Sequence, residues 1–226
     1  MTRSRTLKGS LTAVLAACAL TACTAHPGAA AEIGPDRISD GHLDQVASAL
    51  CSAQNIQSGV AQPLSSRAAR QGALSVLIDS ELSLQYGRAK GIQPSQGQVS
   101  GAVAANQQTL NKLPTAEKAA FEDTLRKYSE AQLILIEAGK RTLASQGSTV
   151  PSAQQALTAG QQARDAWVRK HVDVSVDPRY GRFVNGALQP VSGSLSVAAS
   201  SSAVAGASAN PGQSWVASLP AHQKCS

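Results

Sequence analysis

Residues 66–90 are apolar around most of a helical circumference, and a chain with such a segment must cover it on nearly every side. Plotted at about 100° per residue, Ala73, Leu74, Val76, Leu77, Ile78, Leu82, Leu84, Tyr86 and Ala89 fill most of the circle. Only a narrow side holds Ser75, Asp79, Ser83 and Lys90. Such a helix is surrounded by protein, or by protein together with something it binds. Glu81 falls inside the apolar arc. It is either a perturbed carboxylate or a group that reaches past its leucine neighbours to water or to Arg88. Aromatic residues make up only 3% of the chain and Met1 is its one methionine. A core of Ala, Leu, Val and Ile packs best between helices, so the expected fold class is mainly α with a small β element.

The segments on either side support this. Glu32-Ile33-Gly34-Pro35-Asp36-Arg37-Ile38 reads as a strand, a turn and a second extended piece. Ser39 or Asp40 caps a first helix with Leu43, Val46, Ala47, Leu50 and Cys51 on one face. Residues 57–64 form a loop, and Ser65 or Ser66 starts the second helix, which Gly91 ends. Ser95 and Gln98 make a capping box for a third helix carrying Val99, Ala102, Val103 and Leu110. A fourth helix covers about 116–144, with Phe121, Leu125, Tyr128, Leu135 and Gly139 in one stripe. Pro151 suits the first position of a fifth, with Ala156, Leu157, Gly160, Ala163, Trp167 and Val168 on one face. Val172, Val174 and Val176 then alternate with polar residues, a strand period that Tyr180 to Val184 continues. Asn185-Gly186 signals a hairpin, with 188–197 as the return. Residues 198–213 are Ser, Ala and Gly with too little apolar bulk to pack. Trp215, Val216 and Leu219 form a small apolar knot near the end.

The first residues constrain location. Arg3, Arg5 and Lys8 precede a short apolar run at 11–20, too short to span a bilayer, and small residues follow. Leu20-Thr21-Ala22-Cys23 resembles a bacterial lipobox. That resemblance implies a signal over residues 1–22, cleavage after Ala22 and a diacylglyceryl group on Cys23. The alternative is an ordinary secretory signal cut near residues 29–31. The expected organisation is a tether over 23–31, a helical domain over 32–183 and a Ser/Ala/Gly-rich tail over 184–226. Without Arg3, Arg5 and Lys8 the chain keeps 17 basic residues against 14 acidic ones. That balance, with no basic stripe, argues against a nucleic-acid partner. Cys51 and Cys225 remain as a pair in an oxidising compartment, and a disulfide is the expected state. On a chain-entropy basis it contributes roughly 4–5 kcal/mol. The other state is a buried thiol at Cys51 and a loose Cys225.

Read as one string, Leu77-Ile78, Leu82, Leu84, Ala89, Gly91-Ile92, Pro94-Ser95 and Val99 resemble the N-terminal chaperone region of the SurA/PrsA foldase family. The long helix after Leu113-Pro114-Thr115 and the returning helix at 151–170 extend the resemblance over about residues 30–170. It implies a SurA N-terminal-like helical domain that binds unfolded or extended exported polypeptides. Family members also carry a parvulin isomerase domain, which needs roughly 100 residues. Residues 148–171 leave no room for one, so binding is carried over and catalysis is not.

No chemical motif stands out. His26, His42, His171 and His222 lie at no metal-ligand spacing, and CxxC, HExxH and GxSxG are absent. Asp173 and Asp177 are too far apart along a strand to share a proton, and Glu122 and Asp123 diverge on a helix. The expectation is a non-enzymatic, membrane-anchored extracytoplasmic lipoprotein without metal or cofactor. It shelters client segments in a groove at Leu77, Leu84 and Tyr86, unless those three are core. The alternative is an envelope adaptor that holds one folded partner. An enzymatic reading would need a cleft in which histidine and carboxylates converge on folding.

Overall fold

In the computed structural model, the described residues are 27–59, 64–148, 151–189, 200–208 and 211–225. The expected signal over residues 1–22, Cys23, His26 and residues 190–197 of the expected return strand lie outside them. The fold is mainly helical with a small antiparallel sheet.

Local chemistry explains most element boundaries. β1 (Ala29–Ile33) turns at Gly34-Pro35 into β2 (Asp36–Ser39), with Gly34 at φ 56°, a conformation glycine reaches without a Cβ penalty. The Ser39 hydroxyl accepts the His42 amide and starts α1 (Asp40–Ser58). Ser65 does the same for α2 (Ser66–Lys90) by accepting from Ala68. At the end of α2 the Ile92 amide reaches back to the Gly87 carbonyl and Gly91 adopts φ 60°, a Schellman closure. The capping box at Ser95 and Gln98 opens α3 (Gln96–Ala104).

Two boundaries differ from expectation. The third helix is two, because the chain bends at Ala105-Asn106 before α4 (Gln107–Lys112). The Asn106 amide group donates to the Ala102 carbonyl at 3.1 Å, a local bond that competes with helix continuation. The bend brings Leu110 and Leu113 to Val103 and Phe121. Pro151 is not the first helical residue: Ser152 caps α6 (Ala153–His171) through a second capping box, with Gln155. The connecting helix α5 (Thr115–Ser145) starts directly after Pro114.

α2 is the hub. Its buried residues Leu74, Leu77, Ile78 and Leu82 meet Ile33 of β1 and Leu43 and Val46 of α1 in one cluster. Farther along, Tyr86 joins Ile92, Ile134 and Ala138 in another. α6 returns along α5 and delivers β3 (Val174–Val176) to the free edge of β1, giving the order β2-β1-β3. The first strand of the described body is therefore the central one. β4 (Arg182–Val184) and β5 (Ala187–Gln189) form a separate hairpin on Asn185-Gly186, both at positive φ.

Both flanks of the expected domain prove to be structured. Ala29, Ala30 and Ala31, expected in a tether, are buried strand residues and part of the folded body. Within the expected tail, Leu188 packs on the main core. The stretch from 198 contains α7 (Ser201–Ala207), capped by Ser200. Its alanines suit a helix, and bulk comes from outside: Trp215 of α8 (Gln213–Ser218) packs against Gly206, and its indole N–H donates to the Ser202 carbonyl at 2.9 Å. A 3₁₀ turn at Ala221–Gln223 leads to Cys225.

Candidate functional site

An apolar furrow of about 380 Å³ opens between the C-terminal half of α1 and the N-terminal half of α2. Small residues floor it: Ala47 from α1, and Ala69, Gly72 and Ala73 from α2. Leu50, Leu64, Val76 and Phe121 form the walls, Gln54 and Gln57 the rim, and among the described residues no charged side chain lines it. The furrow exists because α1 faces two ways. Its Ala49 and Ala53 pack against Leu110, Leu113 and Phe121, which holds that half of the helix to α4 and α5. Toward α2 it presents side chains too short to fill the gap.

The disulfide closes one end. Cys51 and Cys225 are joined, with Cα atoms 5.7 Å apart, inside the normal range for the bond. The C-terminal segment is tied down further. The Cys225 amide donates to the Leu64 carbonyl at 2.8 Å, Lys224 forms a bridge with Ser65, and Val216 is buried.

The three residues expected to line a groove do not line this one. Leu77 is 7% exposed and belongs to the main core. Tyr86, at 6%, packs edge-on to Trp167 with centroids 5.7 Å apart, and burial pushes its phenol pKa up. Leu84 is half-buried against the same cluster. Helical periodicity shows that an arc is apolar and not which part of it stays uncovered. Val76, on the same arc, is the half-buried residue that reaches the furrow. Glu81 pairs with Arg88 at 3.0 Å, the second of its two expected states.

Two polar clusters lay hidden in the sequence. Arg164 of α6 is 3% exposed and donates to Asp79, to the Ser83 hydroxyl at 3.0 Å and to Asp165 at 2.8 Å. The narrow polar side of α2 thus faces a buried arginine, with Ser83 fully covered. The second cluster holds the start of α1. Arg179 donates to Asp40 at 3.0 Å and to Asp177 at 2.8 Å, and the Tyr180 hydroxyl donates to Asp40 at 2.9 Å. The Arg179 guanidinium holds the Asp177 carboxyl below its ordinary value. Burial and the Asp40 carboxylate push the Tyr180 phenol up to about 12.

A polar recess of about 230 Å³ between the β1–β2 hairpin, the start of α1, α2 and α5 gathers His42, Asp36, Glu81, Ser80 and Lys127. Its charged groups are engaged: Asp36 accepts from Gln85 at 2.8 Å, Glu81 from Arg88, and Lys127 pairs with Asp123 at 2.9 Å. His171 stacks on Trp167 at 5.2 Å, and His222 sits in the C-terminal turn. Among the described residues, no group of three His, Cys, Asp or Glu side chains is placed to hold a metal. Among them, too, no helix is long and apolar enough to cross a membrane. Compared with family models, curated proteins and solved structures, the chain matches none of them.

Proposed function

We propose that the chain is a lipid-anchored extracytoplasmic holdase that binds unfolded or extended segments of exported polypeptides without a chemical step. The observation that carries this reading is the furrow between α1 and α2, whose described lining is uncharged. The lipobox-like Leu20-Thr21-Ala22-Cys23 and the resemblance to the SurA/PrsA chaperone region support it. A client would place apolar side chains over Ala69, Gly72 and Ala73, displacing water from both surfaces. Its backbone would meet the rim amides of Gln54 and Gln57. The volume is at the low end for ligand pockets. Burying one or two large side chains contributes about 1.5–3 kcal/mol each, and association entropy offsets much of that. Affinity is then micromolar to millimolar, roughly −8 to −4 kcal/mol. Binding of that strength releases clients without an energy source.

The test is suppression of aggregation of a denatured reporter by the intact protein, alongside a Gly72→Phe variant. Gly72 is exposed and a Cβ there meets nothing within 4 Å, so the ring fills the furrow without straining the helix. The expected result is suppression by the native sequence and its loss in the variant at unchanged helicity. No suppression at molar excess of the native protein removes the proposal. The furrow's modest size favours a second reading, an adaptor whose single folded partner inserts one anchoring side chain. A pull-down returning one stoichiometric partner would select it.

A further inference from the structure

The polar recess beside the β1–β2 hairpin holds hydrogen-bonding capacity that the fold does not use. Ile38, Leu77, Ser80 and Thr124, all buried, line it. Ser80 is 4% exposed, and its hydroxyl has no hydrogen-bond partner among the described residues. A buried polar group in that state carries a desolvation cost that an arriving partner removes. Thr124, by contrast, donates back to the Ala120 carbonyl at 2.7 Å.

The charged groups around the recess divide by sign. Asp36 and Glu81 are neighbours, because the Gln85 side-chain amide donates to both, at 2.8 and 3.4 Å, and also to the Ile33 carbonyl at 3.0 Å. Two N–H groups thus serve three acceptors. Among the described residues the cation beside this pair is Arg88, 3.0 Å from Glu81 and 3.8 Å from Asp36. Two carboxylates therefore face one guanidinium. The other polar lining groups supply donors: Arg37, His42 and Lys127. Arg37 stands 3.7 Å from Glu32, beyond hydrogen-bond reach. The His42 ring has no hydrogen bond among the described residues. Lys127 spends one of its three N–H groups on Asp123.

We infer that this recess binds a free α-amino acid, its ammonium held at Asp36 and Glu81 and its carboxylate taken by Ser80, His42 and Lys127. A zwitterion is the ligand class that meets unspent acceptors and unspent donors within one small space. At about 230 Å³ the recess is smaller than the roughly 300–1,000 Å³ of drug-sized ligand sites, which suits a single residue. It shares no lining residue with the furrow, so the inference stands apart from the holdase reading.

Thermal melting of the intact protein with free L-amino acids at millimolar concentration, followed by calorimetry on those that raise Tm, tests this. The expected result is saturable binding of at least one of them. Its N-acetyl derivative and its amide each lack one of the two charges, and each should bind about tenfold more weakly or worse. Glu81→Gln and Lys127→Gln should each weaken binding of the intact amino acid by about tenfold. Ser80→Ala should weaken it similarly while leaving the ligand-free Tm unchanged or raised, since it deletes a hydroxyl that bonds nothing. No rise in Tm with any amino acid overturns the inference, as does equal affinity for the acetylated or amidated form. A lowered ligand-free Tm in Ser80→Ala also overturns it, because the hydroxyl would then already have a partner.

Discussion

At the α5–α6 seam, Gly139 and Gly160 let two helix backbones touch; at the α1–α2 crossing, Ala47, Ala69, Gly72 and Ala73 leave a furrow. A Cβ at Gly139 would collide with the Ala156 carbonyl, and one at Gly160 with the Leu135 carbonyl. Around Gly72 there is open space. The residue types are alike, and what separates the two places is how each helix is held on its other side. α6 is drawn inward by Arg164, which bonds to the polar side of α2. α1 is held outward by Ala49 and Ala53 on Phe121, and at Cys51 by the C-terminal segment. Small side chains permit contact; attachments elsewhere decide whether the contact is made.

The largest effect should come from closing off the tight seam. Gly160→Leu drives a side chain into backbone, and a loss of about 4 kcal/mol or more is expected. That is enough to unfold a domain of ordinary stability, and a denaturant titration will read it. Next, Arg164→Ala leaves Asp79 and Asp165 without their partner. Because Asp79 keeps 31% of its side chain exposed, the expected cost is the low end for a broken buried pair, about 3 kcal/mol. A double variant, Arg164→Met with Asp79→Leu, should recover most of it; failure to do so would mean that α6 depends on charge rather than on shape.

On the open side, replacing Cys51 and Cys225 by alanine should cost about 2–5 kcal/mol. It should also make residues 211–225 susceptible to limited proteolysis. If the attachments hold the furrow open, as argued, Gly72→Phe should lose its blocking effect in this background as α1 relaxes. The smallest effect is Gly72→Ala. It should raise stability by about 0.5–1 kcal/mol through helix propensity and leave aggregation suppression intact, since a methyl group does not fill the furrow. A destabilised Gly72→Ala would show that the α1–α2 crossing closes in solution.

Much of this architecture was legible because it is written in local chemistry. Ser39, Ser65, Ser95 with Gln98, and Asn185-Gly186 each specify their own cap or turn from a few neighbouring atoms. The pairing of Cys51 with Cys225 followed from elimination and compartment. Hidden features depend on partners remote in sequence. Periodicity put Asp79 and Ser83 on a polar stripe, but only the returning helix shows that the stripe faces Arg164. The same limit left open whether Leu77, Leu84 and Tyr86 line a groove or belong to the core; Leu77 and Tyr86 are buried in the two clusters and Leu84 packs beside Tyr86. α7 was missed because its covering ring, Trp215, comes from the following helix.

The joining of Cys51 to Cys225 spans 174 positions, and that interval sets a timetable. A polypeptide synthesised from its N-terminus presents the first thiol long before the second. β1 likewise waits for β3 to complete its sheet. Until the last residues arrive, the forward cysteine is open to whatever oxidant or stray thiol it meets. Closure of this pair therefore waits for the complete chain, and a product cut short before residue 225 carries an unclosed sulfur that marks it as unfinished.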